Sequence, residues 1–132
     1  MKRLTLLLLL MVSMNVFAEW TRFTRSADGS MTVYGDFETI KRKGSKVKMW
    51  TVNDFKTVQL IPVSNTKFLS TVARQEYDCE EETKRILDGY WYSGNMKQGE
   101  IVYSFTNIKE EAESIMPGSI DEVLFKIACY KK

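Results

Sequence analysis

Pro117-Gly118-Ser119-Ile120-Asp121-Glu122-Val123-Leu124-Phe125-Lys126-Ile127-Ala128-Cys129 is the stretch with a clear helical period, and it sets the fold class. Pro117 and Gly118 stop what precedes them. Ser119 and Glu122 form a capping box, in which the hydroxyl accepts from the Glu122 amide while the carboxylate reaches back. Ile120, Val123, Leu124, Ile127 and Ala128 then recur at helical spacing, predicting an amphipathic helix laid on a core. At about 100° per residue, Cys129 falls opposite Ile120, beyond Phe125 on the flank, in a fraying last turn.

Upstream the period changes. Short runs rich in aromatic and β-branched residues, separated by turn signals, predict strands over 20–23, 31–34, 46–55, 68–77, 84–93 and 101–105. Asp28-Gly29 supplies the positive φ angles of a tight hairpin between the first two. A connector over 35–43 ends at Lys43-Gly44. In the third strand Val47, Met49 and Phe55 alternate with Lys48, Trp50, Val52 and Asp54, so neither face is purely polar and the strand is expected to be central or covered. Pro62 cannot donate to a ladder, and 56–66 reads as a loop with a little edge structure. The polar segment 107–116, with Glu110, Glu111 and Glu113, reads as a helical turn. The expected architecture is α+β, about six strands packed on a C-terminal helix.

Of the 132 residues, the first eighteen read as a secretory signal: Lys2 and Arg3, an apolar run from Leu4 to Met14, then Val16-Phe17-Ala18 at the cleavage site. A transmembrane anchor is the alternative, but the run falls short of the roughly twenty residues a span needs. No cysteine lies near the cleavage site for lipid attachment. The expected organisation is a signal peptide over 1–18 and one domain over 19–132, without stable membrane insertion.

The formal charge of +2 belongs to that leader. Removing Lys2 and Arg3 from the 19 basic residues leaves 17, against 17 acidic residues that all lie beyond Ala18. Residues 19–75 hold 10 basic and 5 acidic residues, and 76–132 hold 7 and 12. A neutral, dipolar domain argues against nucleic acid, whose binding by counterion release needs a sustained basic face.

The chain has no histidine, and with it no common general base or metal ligand. No nucleophile elbow, phosphate loop or metal motif is present, so neither enzyme activity nor a cofactor or metal is expected. Glu80-Glu81-Glu82 lacks the spaced oxygens of a calcium loop and reads as a solvated hairpin tip. Cys79 and Cys129, an even pair in an oxidising compartment, read as one disulfide, which the chain-entropy model rates at about 4 kcal/mol. A reactive or metal-binding pair is the weaker alternative, without CxxC spacing.

Two surfaces are candidates for contact. Tyr90, Trp91 and Tyr92 put aromatics on both faces of the fifth strand; an interface is one explanation and cover by the helix the other. Lys41, Arg42, Lys43, Lys46 and Lys48 form the one candidate polyanion site, against the simpler reading of a solvated turn.

Taken in order, Glu19-Trp20, Val47 to Trp50, Asp54-Phe55-Lys56, Phe68-Leu69-Ser70, Glu76-Tyr77-Asp78-Cys79, Arg85, Tyr92-Ser93-Gly94, Pro117-Gly118-Ser119 and Cys129 resemble the bacterial surface-adhesin protein E family. The resemblance implies an antiparallel sheet curved around a C-terminal helix tethered by the disulfide. It also implies action at the outer surface of a Gram-negative bacterium, on host proteins such as vitronectin and laminin. A protein partner is therefore expected, with a homodimer as a further assembly. The alternative is a periplasmic inhibitor or envelope-stress protein that binds an endogenous enzyme.

Overall fold

The computed structural model describes residues 20–130; the expected signal peptide lies outside them. Eight strands form one curved antiparallel sheet: β1 (Thr21–Arg25), β2 (Met31–Gly35), β3 (Lys41–Lys43), β4 (Lys46–Ile61), β5 (Thr66–Asp78), β6 (Thr83–Tyr92), β7 (Ile101–Phe105) and β8 (Glu113–Ser114). Their order is β1-β2-β4-β5-β6-β7, with β3 beside β4 and β8 beside β6. The helix α1 spans Ile120–Tyr130. The six expected strands are all present, and the two additional ones are the short β3 and β8.

The Asp28-Gly29 turn joins β1 to β2, with Gly29 at φ +73°. The Asp28 carboxylate accepts from the Ser30 amide (3.0 Å) and from the hydroxyls of Ser30 (2.7 Å) and Ser26 (2.8 Å). These bonds lower it from 3.8 to about 2. A carboxyl depressed by folding adds stability above its unfolded value, and that stability is lost as pH falls through the folded value. A carbon-13 titration of Asp28 should therefore show a midpoint near 2; a midpoint at 3.8 would mean the turn bonds do not form in solution.

Two segments depart from the expectation. The stretch 56–66 is not mainly loop: β4 continues to Ile61, paired Gln59↔Phe68, Leu60↔Lys67 and Ile61↔Thr66 after a bulge beyond Asp54. Pro62 does end the ladder, at the hairpin tip, and the extended conformation it favours in the residue before it is compatible with Ile61 as the last paired residue. The stretch 107–116 forms no helical turn. β7 pairs only with the Gly89–Tyr92 end of β6, leaving the rest of that edge open, and buried backbone groups need partners. The segment fills this edge: Asn107 N donates to the Asp88 carboxylate (2.7 Å), Ile108 N to Leu87 O (3.1 Å), and β8 pairs with Thr83 and Lys84. The three glutamates at 80–82 sit in the β5–β6 turn, exposed, with the Asp78 carboxylate accepting from the amides of Glu80 and Glu81.

The core lies between one sheet face and α1. Val33, Val47, Met49 and Tyr77 pack against Leu124, Phe125, Ala128 and Cys129. The helix has the expected limits but is turned by about one residue. Phe125 and Cys129 are buried, whereas Val123 is 37% exposed. Two contacts fix that rotation: the Phe125 ring packs on Tyr77 at 6.3 Å, and the Cys79–Cys129 disulfide joins Cα atoms 5.6 Å apart across 50 residues. Cys129 thus leaves from inside the core, pinning α1 to the end of β5. Burial raises the Tyr77 phenol well above its ordinary value, with Asp121 adding to the shift, so the ring stays neutral.

Half of the capping box forms. The Glu122 amide donates to Ser119 Oγ at 3.2 Å, while the Glu122 carboxylate turns to Lys126 Nζ at 3.4 Å. Ser119→Ala should cost about 1 kcal/mol, read as a fall in the urea midpoint without a change in slope. An unchanged midpoint would show that this cap contributes nothing.

Candidate functional site

Alternation in a strand and register between strands decide which side chains share a face. On the face away from α1, Lys48 lies beside Glu76 and Arg85, Trp50 beside Arg74 and Asp88, and Val52 beside Val72 and Tyr90. Asp54, Ser70 and Tyr92 make the next row. Tyr90 and Tyr92 therefore belong to this outer face. Trp91 belongs to the inner one, against Phe68 (centroids 4.6 Å) and Tyr103 (5.1 Å).

The basic run divides in the same way. Lys41 pairs with Lys48 and Lys43 with Lys46, all on the outer face. Arg42 pairs with Val47 and projects to the other side, where its Nη1 donates to Cys129 O (3.2 Å) and its Nε to Gly44 O (3.1 Å). Its charge meets a carbonyl at the helix C-terminus, where a cation is favourable, so Arg42 is set apart from the outer-face lysines. Lys46 is 4.0 Å from Glu76, which Arg85 holds at 2.8 Å. Among the described residues, Lys41, Lys43 and Lys48 have no ion-pair partner.

Trp50 joins the two candidate surfaces. It lines a cleft of about 330 Å³ with Trp20, Tyr90, Tyr92 and Lys97, and also a depression of about 280 Å³ with Lys41, Lys48 and Arg74. Its ring stacks near Tyr90 (centroids 6.4 Å, planes at 27°), and the Arg74 guanidinium lies 5.9 Å from its centroid while pairing with Asp88. Lys97 Nζ sits 4.7 Å from the Trp20 ring. The β6–β7 loop brings Lys97 there because its backbone is tied to outer-face polar groups: Ser70 Oγ donates to Gly94 O (2.6 Å) and accepts from Lys97 N (3.0 Å), and Asp54 accepts from Met96 N (2.8 Å).

Sequence reasoning missed Trp20, Trp50, Arg74 and Lys97. The usable signal was the alternation in β4, which puts Trp50 on the same side as Lys48; the other three are brought in by register and by the loop fold. The resulting surface offers flat, partly exposed rings with Lys41, Lys48 and Lys97 around them and Asp36 and Glu38 in the same clefts, a mixed-charge rim around an aromatic anchor.

A curved antiparallel sheet and one disulfide-tethered C-terminal helix, with aromatic rings and lysines on the outer face, define a small α+β domain. Residues 20–130 match the family model for surface-adhesin protein E, and the chain belongs to that family, which is one of adhesins rather than enzymes. Three crystal structures of Haemophilus influenzae protein E share the fold. Crystal form II superposes with a TM-score of 0.60 at 16% identity, covering 87% of this chain and 90% of that one. The selenomethionine form gives 0.59 at 16%, covering 87% and 88%, and the protein from non-typeable H. influenzae gives 0.56 at 16%, covering 88% and 78%. No curated protein sequence matches the chain significantly. At such identities the shared property is the backbone plan, and the side chains of the outer face are this chain's own.

Proposed function

We propose that the chain is exported by a cleaved signal over 1–18 and acts at the cell envelope as a non-enzymatic, adhesin-like binding protein, with the outer face as its contact surface. The observation that supports this reading most is the junction at Trp50, where a stacked aromatic pair meets Lys41 and Lys48, cations without carboxylate partners among the described residues. Aromatic anchors supply affinity, and rim cations supply encounter rate and specificity. The host matrix proteins vitronectin and laminin are the partners to test first. Purified mature protein should bind one of them saturably, with micromolar affinity that weakens as salt screens the lysines. Absence of binding at micromolar concentration would remove the adhesin reading. Protease added to intact cells distinguishes the periplasmic alternative: degradation places the domain outside, and protection favours an endogenous partner.

A further inference from the structure

The inner face holds a second recess. α1 covers the rows around Val47, Met49 and Tyr77 and stops there. The next row on that face, Thr51–Ala73–Gly89, is made of small residues; the Phe105 ring lies over Gly89, and Ala73 is left as open floor. Gly89 is required to be small, because a Cβ there would lie 2.5 Å from the Phe105 ring. Phe55, Phe68, Trp91 and Phe105 wall one side, and Ile120 and Leu124 at the start of α1 wall the other, bounding an open recess of about 590 Å³. That is within the range of about 300–1,000 Å³ typical of small-ligand sites.

The polar groups of the recess narrow the ligand class. Asn53, Thr71 and Trp91 lie side by side in one row across three strands, and all three line the recess. Among the described residues, the Asn53 carboxamide, the Thr71 hydroxyl and the Trp91 indole N–H have no hydrogen-bond partner. Lys84 and Asp121, at the helix end, neutralise each other at 2.7 Å. A charged ligand would therefore find no unpaired counter-charge among the lining residues. An acyl chain would strand the Asn53 and Thr71 groups away from water, at a cost of about tenfold in affinity for each. A neutral ring with one apolar face and several hydroxyls avoids both penalties: its C–H face packs against the aromatic wall of Phe55, Phe68 and Phe105, and its hydroxyls meet the amide and the threonine.

We propose that this recess binds a neutral saccharide ring. The site is separate from the outer face, so it stands or falls independently of the protein-binding reading. Titrating nitrogen-15 mature protein with methyl glucoside and with N-acetylglucosamine should shift the Trp91 indole N–H and the Asn53 side-chain amide saturably at millimolar sugar, leaving Trp20 and Trp50 in place. Asn53→Ala and Thr71→Val remove no internal hydrogen bond, so each should melt like the wild type and bind about tenfold more weakly. Ala73→Leu, which fills the floor, should abolish the shift while the Trp20 and Trp50 signals remain at their native positions. Octanoate should shift none of the three indoles. The proposal is overturned by no saturable shift with either sugar, by a shift confined to Trp20 and Trp50, by undiminished binding in both polar variants, or by octanoate moving Trp91 where sugars do not.

Discussion

Cys79→Ala/Cys129→Ala is expected to lower the melting temperature by about 15 °C under oxidising conditions. The bond closes a 50-residue loop that contains β6, β7, β8 and most of α1, and a loop of that length is rated at about 4 kcal/mol through the entropy it removes from the unfolded chain. It also fixes the rotation of α1. Cys129 is 6% exposed and Phe125 is 5% exposed, both facing Tyr77 and Met49, so loss of the tether should loosen the whole inner core and not only the last turn. Reductant should bring the wild type down to the variant and leave the variant where it is. Coincident melting curves would show the bond to be absent or energetically idle.

Trp50→Ala/Lys48→Glu should weaken partner binding by about thirtyfold or more while leaving the fold intact. The Trp50 ring is the shared wall of the aromatic cleft and the basic depression, and truncating a central aromatic anchor costs about 2 kcal/mol or more. Lys48→Glu reverses one of the unpaired cations and should slow association and flatten the salt dependence. The cluster packed on α1 is on the opposite side of the sheet, so the melting temperature should fall by only a few degrees. Tyr103→Ala on the inner side, 48% exposed, is the control that should leave binding unchanged. A Trp50 variant that binds like the wild type, measured by surface plasmon resonance, would exclude the outer face as the anchor. Arg42→Gln separates the two roles within the basic run: it should leave affinity unchanged and cost up to about 1 kcal/mol of stability through the lost helix C-terminal contact.

Much of the fold is legible in the sequence because it follows from local chemistry. Asp28-Gly29, Pro117-Gly118-Ser119 and the cysteine pair each act over a few residues or have one solution, and the structure has the hairpin, the helix limits and the disulfide they predict. What was not legible depends on partners distant in sequence. The helix face is set by Tyr77 and Cys79, which spacing within 120–130 does not contain. The glutamate-rich 107–116 is extended because the β6 edge is open, a fact about β7's length. β4 passes Phe55 because Thr66 to Phe68 come back to pair with it. The same limit applies to the site. Alternation puts Tyr90 and Tyr92 on one side and Trp91 on the other, yet only register sets Tyr90 near Trp50, and only the fold takes Arg42 to a carbonyl 87 residues away.

Hydroxyl-radical footprinting of the mature protein with and without saturating vitronectin or laminin reads side-chain cover residue by residue. Bound partner should reduce oxidation of Trp50, Tyr90 and Tyr92 several-fold and leave Tyr103 and Met116, 48% and 71% exposed, at their free rates. Protection of Tyr103 or Met116 with Trp50 and Tyr90 unaffected would contradict the assignment of the outer face as the contact surface.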